Sequence, residues 1–164
     1  MGAMADRINA IHVHASAPGG GIHGEVRGHN SIEIYFSSGY YDQANERQLE
    51  RQLEGLARLL WTARERALRT SMAEFNVHPD ESISSYEDER FHEERAQLLA
   101  VGCSDDDRIV VSVRGMQEWR VQLAAGTLQA HSERSFLAGL QVAATRLISN
   151  QLQQVNQLKV QVYQ

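Results

Sequence analysis

The chain has 164 residues, 42% of them hydrophobic and 23% charged, enough to bury the core of one large domain or two small ones. Its formal net charge of −5 gives no long-range positive field towards nucleic acid, so any such attraction has to come from charge segregated along the chain. A single cysteine, Cys103, excludes an intrachain disulfide framework and a thiolate metal site, and no apolar run approaches a signal or membrane segment, which points to a cytoplasmic protein with no membrane partner.

Met1-Gly2-Ala3-Met4 reads as an expression leader ahead of a natural start at Met4, so residues 1–7 are expected to be a disordered start. Ile8 to Ala15 alternate as a strand, and Pro18-Gly19-Gly20-Gly21 breaks it with residues suited to a reversal. In the next strand Ile22, Gly24 and Val26 share one face and His23, Glu25 and Arg27 the other; Gly28-His29-Asn30 turns the chain, and Ile32, Ile34 and Phe36 alternate again. A three-stranded antiparallel meander with one oily face results.

From about Gln43 to Met72 the period becomes helical, with Leu49, Leu53, Leu56, Leu60, Ala63 and Ala67 on one side. At about 1.5 Å per residue the helix is roughly 45 Å long, too long to be covered by three short strands alone. Residues 73–85 contain Pro79 and no sustained period, and read as a linker. Ser85 followed by Asp88 signals a helix cap leading into a short charged helix, EDERFHEERAQ.

A second meander follows: Leu98 to Cys103, a turn at Ser104-Asp105-Asp106-Asp107, Ile109 to Arg114 and Glu118 to Leu123. Ser132 then caps a second long helix carrying Phe136, Leu140, Ala143, Ala144, Leu147 and Ile148. Lys159 to Tyr163, KVQVY, fits either the end of that helix or an edge strand. Sliding the chain by 87 positions pairs Ile22 with Ile109, Val26-Arg27-Gly28 with Val113-Arg114-Gly115, Gly39 with Gly126, Glu46-Arg47 with Glu133-Arg134, and Leu53, Ala57 and Leu60 with Leu140, Ala144 and Leu147. Turns, strand faces and helix stripe fall in register, so one unit is specified twice, over residues 8–72 and 86–164. The expected class is α+β: two tandem β-β-β-α units forming a pseudo-twofold covalent dimer.

The order of strand, acidic or glycine turn, strand, glycine turn, strand, small-residue loop and long helix resembles the YbaB/EbfC family of bacterial nucleoid-associated proteins. It is clearest in LLAVGCSDDDRIVVSVRGMQEWRVQLAAGTL and its flanking helices, over about residues 87 to 155. The first unit resembles it over about 8 to 72 and lacks the leading helix. The resemblance implies homodimeric single units elsewhere, here fused in one chain. It also implies DNA binding through basic helix residues, no catalytic motif, and, in proteins associated with type VII secretion, a role in protein handling.

The candidate contact surface for DNA or an acidic partner is an arginine stripe, Arg47, Arg51, Arg58, Arg66 and Arg69, within an arc of roughly 100° opposite the leucines. Such a row follows a phosphate backbone. The competing reading is a solvated face, because Glu54 and Glu65 stand four residues before Arg58 and Arg69. His12 and His14 share a strand face near His23 and His29, but they align with Leu99 and Val101 and no further ligand completes a spacing, so no metal is expected. Asp105-Asp106-Asp107 lacks the interleaved ligands of a cation loop and reads as a solvated turn; Cys103 reads as a buried small hydrophobe. No phosphate loop, nucleophile elbow or carboxylate pair appears, so the expectation is a binding protein, not an enzyme, without cofactor. Trp61 and Trp119 read as core or interface aromatics. The uncharged stretch from Asn150 to Gln157 suits a partner helix or solvent. A protein partner for the long helices is the alternative to DNA, and further homodimerisation stays open.

Overall fold

A computed structural model describes residues 2–28, 31–74 and 85–164. Its elements run α1 (Ala3–Asn9), β1 (His12–Ser16), β2 (Ile22–Arg27), β3 (Ser31–Phe36), α2 (Tyr40–Gln43), α3 (Glu46–Ala73), α4 (Tyr86–Arg95), β4 (Leu99–Cys103), β5 (Ile109–Arg114), β6 (Glu118–Leu123), α5 (Thr127–Ala130) and α6 (Glu133–Tyr163). The strands form two three-stranded antiparallel sheets, β1-β2-β3 and β4-β5-β6, each followed by a long helix. The protein is α+β. The tip of the first β2–β3 turn, at His29 and Asn30, and most of the expected linker, including Pro79, lie outside the described residues.

The bounds of β1, β2, β3 and α2 recur 87 positions later in β4, β5, β6 and α5, and α3 and α6 start at the same offset. The turns repeat as well. Gly28 and Gly115 have φ of 61° and 59°, and Gly39 and Gly126 have φ of 80° and 82°, a left-handed backbone open to glycine at little cost. Both long helices open on the side-chain caps their sequences favour: Asn45 Oδ1 accepts from the Gln48 N–H at 2.9 Å and Ser132 Oγ from the Ser135 N–H at 3.1 Å. Ser85 caps α4 in the same way, through the Asp88 N–H at 3.1 Å.

Two expectations are corrected and one open choice is resolved. Residues 3–9 are helical where a disordered start and, from Ile8, a strand are expected. Period-two alternation over a few residues does not separate a strand from the end of a helix, and α1 is fastened from outside, by an ion pair between Arg7 and Glu74. The first unit therefore does have a leading helix. Gly28 packs on the Asn9 backbone as Gly115 packs on that of Ala96, residues again 87 apart. Finally, residues 159–163 belong to α6, where Leu158 and Val162 bury against Phe91 of α4 and settle the choice between helix and strand.

One core joins both halves. Ile22 and Val26 of the first sheet and Ile109, Val111 and Val113 of the second meet Leu49, Leu53, Leu56 and Leu60 of α3 and Phe136, Leu140 and Leu147 of α6. The long helices exchange partners: α3 packs on β1, β2 and β6, and α6 on β4, β5 and β3. Where the two halves meet, an apolar cavity of about 60 Å³ remains between Leu56, Leu60, Val111, Trp119, Leu140 and Leu147. The far end of each long helix is covered by the leading helix of its own unit. α4 packs on the end of α6, and α1 on the end of α3.

Candidate nucleic-acid interface

Helix α3 sorts its side chains into three stripes. Leu49, Leu53, Leu56 and Leu60 are buried in the core. On one flank of them Glu46, Glu50 and Glu54, spaced four apart, turn to the free edge of β6. Glu54 Oε2 accepts from the Val121 N–H at 2.9 Å, Glu50 Oε2 from the Leu123 N–H at 2.8 Å, and Glu46 Oε1 from the Gly126 N–H at 3.1 Å. An edge strand leaves alternate N–H groups without a partner, and a carboxylate stripe at helical spacing satisfies them.

On the far side Arg47, Arg51, Arg58, Arg66 and Arg69 are all exposed. From first to last they span about 33 Å at 1.5 Å per residue, close to one turn of duplex DNA. Among the described residues none of the five lies within 4.0 Å of a carboxylate. The ion pairs read from spacing are not formed. Glu54 is held by β6 instead of Arg58, and Glu65 lies 3.8 Å from Arg64, not at Arg69. Arg64, outside the predicted stripe, is buried at 8% exposure with its guanidinium 4.8 Å from the Trp61 ring centre, and burial lowers its pKa from the ordinary value. Trp61 in turn meets Trp119 of β6 at 6.2 Å between rings, so both tryptophans mark the contact between halves.

The second helix carries no such row. The positions matching the five arginines are Arg134, Ala138, Thr145, Gln153 and Asn156. Gln153 and Asn156 belong instead to an uncharged groove with Ser149, Leu152, Gln157 and Val160, in which Leu152 is 61% and Val160 54% exposed. The expected choice for Asn150 to Gln157 divides by face, since Gln151 and Val155 are buried while Leu152 and Asn156 face out.

The remaining candidates separate. His12 and His14 lie on the outer face of the first sheet with ring centres 5.8 Å apart, and His12 Nε2 is 3.4 Å from Glu25 Oε2. His23 is held between Ser16 Oγ at 2.7 Å and Ser37 Oγ at 2.8 Å. Among the described residues no three His, Cys, Asp or Glu side chains gather as a metal site; His29 lies outside them. Cys103 is a free thiol, half-buried where full burial is expected. Asp106 is more than a solvated turn residue. Its carboxylate accepts from Ser104 Oγ at 2.8 Å and the Arg108 N–H at 3.1 Å and meets His131 Nε2 at 2.7 Å, which holds its pKa down at about 2. The ring's other nitrogen reaches Ser135 Oγ at 2.9 Å, tying the β4–β5 turn to the start of α6. Spacing gave no sign of this, because His131 is 25 residues from Asp106.

Among the described residues no helix is long and apolar enough to cross a membrane. No family model, curated protein or solved structure matches the chain.

Proposed function

We propose that the protein is a non-enzymatic nucleic-acid-binding protein of the YbaB/EbfC-like kind. In this reading it is a covalent pseudo-dimer whose two β-β-β-α units are related by a pseudo-twofold axis, and it contacts phosphates through Arg47, Arg51, Arg58, Arg66 and Arg69. One observation carries the reading: Glu46, Glu50 and Glu54 of α3 turn to the β6 edge, and among the described residues the five exposed arginines of the other face make no ion pair. A solvated salt-bridged face would pair those charges. A row of unpaired guanidinium groups attracts a polyanion locally even on a molecule of net charge −5, and binding of this type does not depend on sequence. The experiment is a titration of duplex DNA at several salt concentrations, with Arg58, Arg66 and Arg69 replaced by Ala in a parallel sample.

A second reading, a protein-protein adaptor, is favoured by the uncharged groove on α6 with its exposed Leu152 and Val160. Isolated apolar side chains on a neutral helix face suit a partner helix more than a phosphate backbone. Under this reading Leu152→Glu abolishes recovery of a stoichiometric protein partner from the native cell, while DNA binding is unchanged.

A further inference from the structure

The strand edges of the two sheets are finished differently. On β4 three of the outward backbone groups are taken by α6: Arg146 Nη1 donates to the Cys103 carbonyl at 2.9 Å, Asn150 Oδ1 accepts from the Val101 N–H at 3.0 Å, and Gln154 Nε2 donates to the Leu99 carbonyl at 2.7 Å. These three residues are spaced four apart, like Glu46, Glu50 and Glu54 on α3. Both edges of the second sheet are thereby engaged by side chains of a long helix.

The counterpart of β4 is β1, whose edge no side chain engages among the described residues. The Ala17 N–H bonds to the Ile22 carbonyl and the Gly28 N–H to the Ile11 carbonyl, which sets the ladder so that Val13 and Ala15 bond β2 while His12, His14 and Ser16 turn their backbone groups outward. The positions on α3 that match Arg146, Asn150 and Gln154 are Leu59, Ala63 and Ala67, which have nothing to donate or accept. Among the described residues no group bonds the outward N–H and C=O of His12, His14 and Ser16. The other edge of this sheet, β3, lies against α6.

Helix α3 runs beside the open edge, fixed at one end by the bond from the Gly19 N–H to Gln52 Oε1 at 3.3 Å and at the other by the pair of Arg7 with Glu74. Between these points lies an apolar shelf of Leu59, 45% exposed, and the half-buried Ala63 and Ala67. From Leu59 to Ala67 the shelf is about 12 Å long, and about 16 Å with Thr70, which follows it on the same side of the helix; the longer span is that of about five extended residues. β1 itself has five residues.

We propose that this groove is the interface between two copies of the chain. β1 of each copy pairs antiparallel with β1 of the other about a dyad at His14, joining two three-stranded sheets into one of six strands, and the Leu59-Ala63-Ala67 shelves of the two α3 helices pack on each other above it. The fit is self-complementary: identical strands of five residues close the ladder from both sides, and small side chains at the helix contact allow a close approach. Charge favours a second copy over a charged foreign strand. The seam from Gln52 through Leu59, Ala63 and Ala67 to Thr70 carries no formal charge, and Arg66 stands only at its border, so the centre of the seam suits a neutral copy better than a charged peptide. β1 also lacks Lys, Pro and a bulge, the devices that keep natural edges from pairing with themselves.

The test is sedimentation equilibrium of the full chain from micromolar to millimolar concentration. The expected mass is twice 18.4 kDa at the upper end, falling to 18.4 kDa for His14→Pro, which removes the outward N–H, and for Ala63→Glu, which places a charge in the seam. Circular dichroism and melting of the variants establish that each is folded. A wild-type chain that stays at 18.4 kDa throughout overturns the proposal, as does a dimer that survives a folded Ala63→Glu variant. A monomer whose His14 amide becomes protected from exchange only when a synthetic strand peptide is added assigns the groove to a foreign strand, and equally overturns the second copy.

Discussion

Glu54 stands four residues before Arg58, the spacing at which a helix surface pairs opposite charges, yet its carboxylate is spent on the Val121 N–H. A backbone donor at a sheet edge has no alternative acceptor inside the fold, whereas an exposed guanidinium is well served by water, so the edge wins. Replacing Glu50 by Ala, which strands the part-buried Leu123 N–H, is expected to lower stability by about 1–3 kcal/mol in urea unfolding, and Glu50→Gln by less because an acceptor oxygen remains. Gln151 offers the opposite case. It is 8% exposed, and its amide nitrogen and oxygen bond to nothing among the described residues, so Gln151→Met is expected to raise stability by about 1–2 kcal/mol, read as a higher melting temperature. Asp106 gives a pH dependence. Its pKa, lowered from 3.8 to about 2 chiefly by the Ser104 hydroxyl and then by the Arg108 N–H and His131, makes its contribution full above about pH 4 and lost as pH falls through about 2. Asp106→Asn is expected to remove that acid transition from a pH titration of unfolding.

Between the repeated elements, close packing distinguishes the two halves. A Cβ at Gly102 of β4 would lie 2.0 Å from the Ala143 carbonyl oxygen and 2.5 Å from the Leu147 nitrogen, whereas the matching residue of β1 is Ala15 and the tight glycine of the first sheet is Gly24, which meets the movable end of Leu60 at 2.7 Å. Helix α6 thus rides on β4 backbone to backbone, and α3 stands off on its leucine side chains. Gly102→Ala is expected to cost about 3 kcal/mol or more, and Gly24→Ala clearly less, compared by thermal melting. The strands, their register and the long helices were legible because turn glycines, alternation and leucine spacing are local signals written twice. The leading helix α1 was not, since seven residues with one apolar side chain beyond methionine and alanine carry no period, and its hold on Glu74 is a contact 67 positions away. The arginine face was legible as a row, from Arg47 to Arg69. That its arginines make no ion pair among the described residues was not, because the fate of Glu54 depends on a strand in the other half of the chain.

At the scale of the whole molecule the two halves share a plan and differ in what they expose. The first long helix presents Arg47, Arg51, Arg58, Arg66 and Arg69, while the second presents the neutral groove around Leu152 and Asn156 at the corresponding surface. Carrying the β-β-β-α plan twice in one chain lets each helix differ, which two identical chains cannot do. If that face binds phosphate as proposed, the negative charge of the remainder limits the attraction to it and makes binding sensitive to salt. The most direct measurement is therefore the salt dependence of duplex DNA binding. Five phosphate contacts predict a slope of log K against log salt of about −4.5, falling to about −1.8 when Arg58, Arg66 and Arg69 are Ala. Absence of binding at low ionic strength, or a slope that the triple replacement leaves unchanged, contradicts the assignment of this face to phosphate.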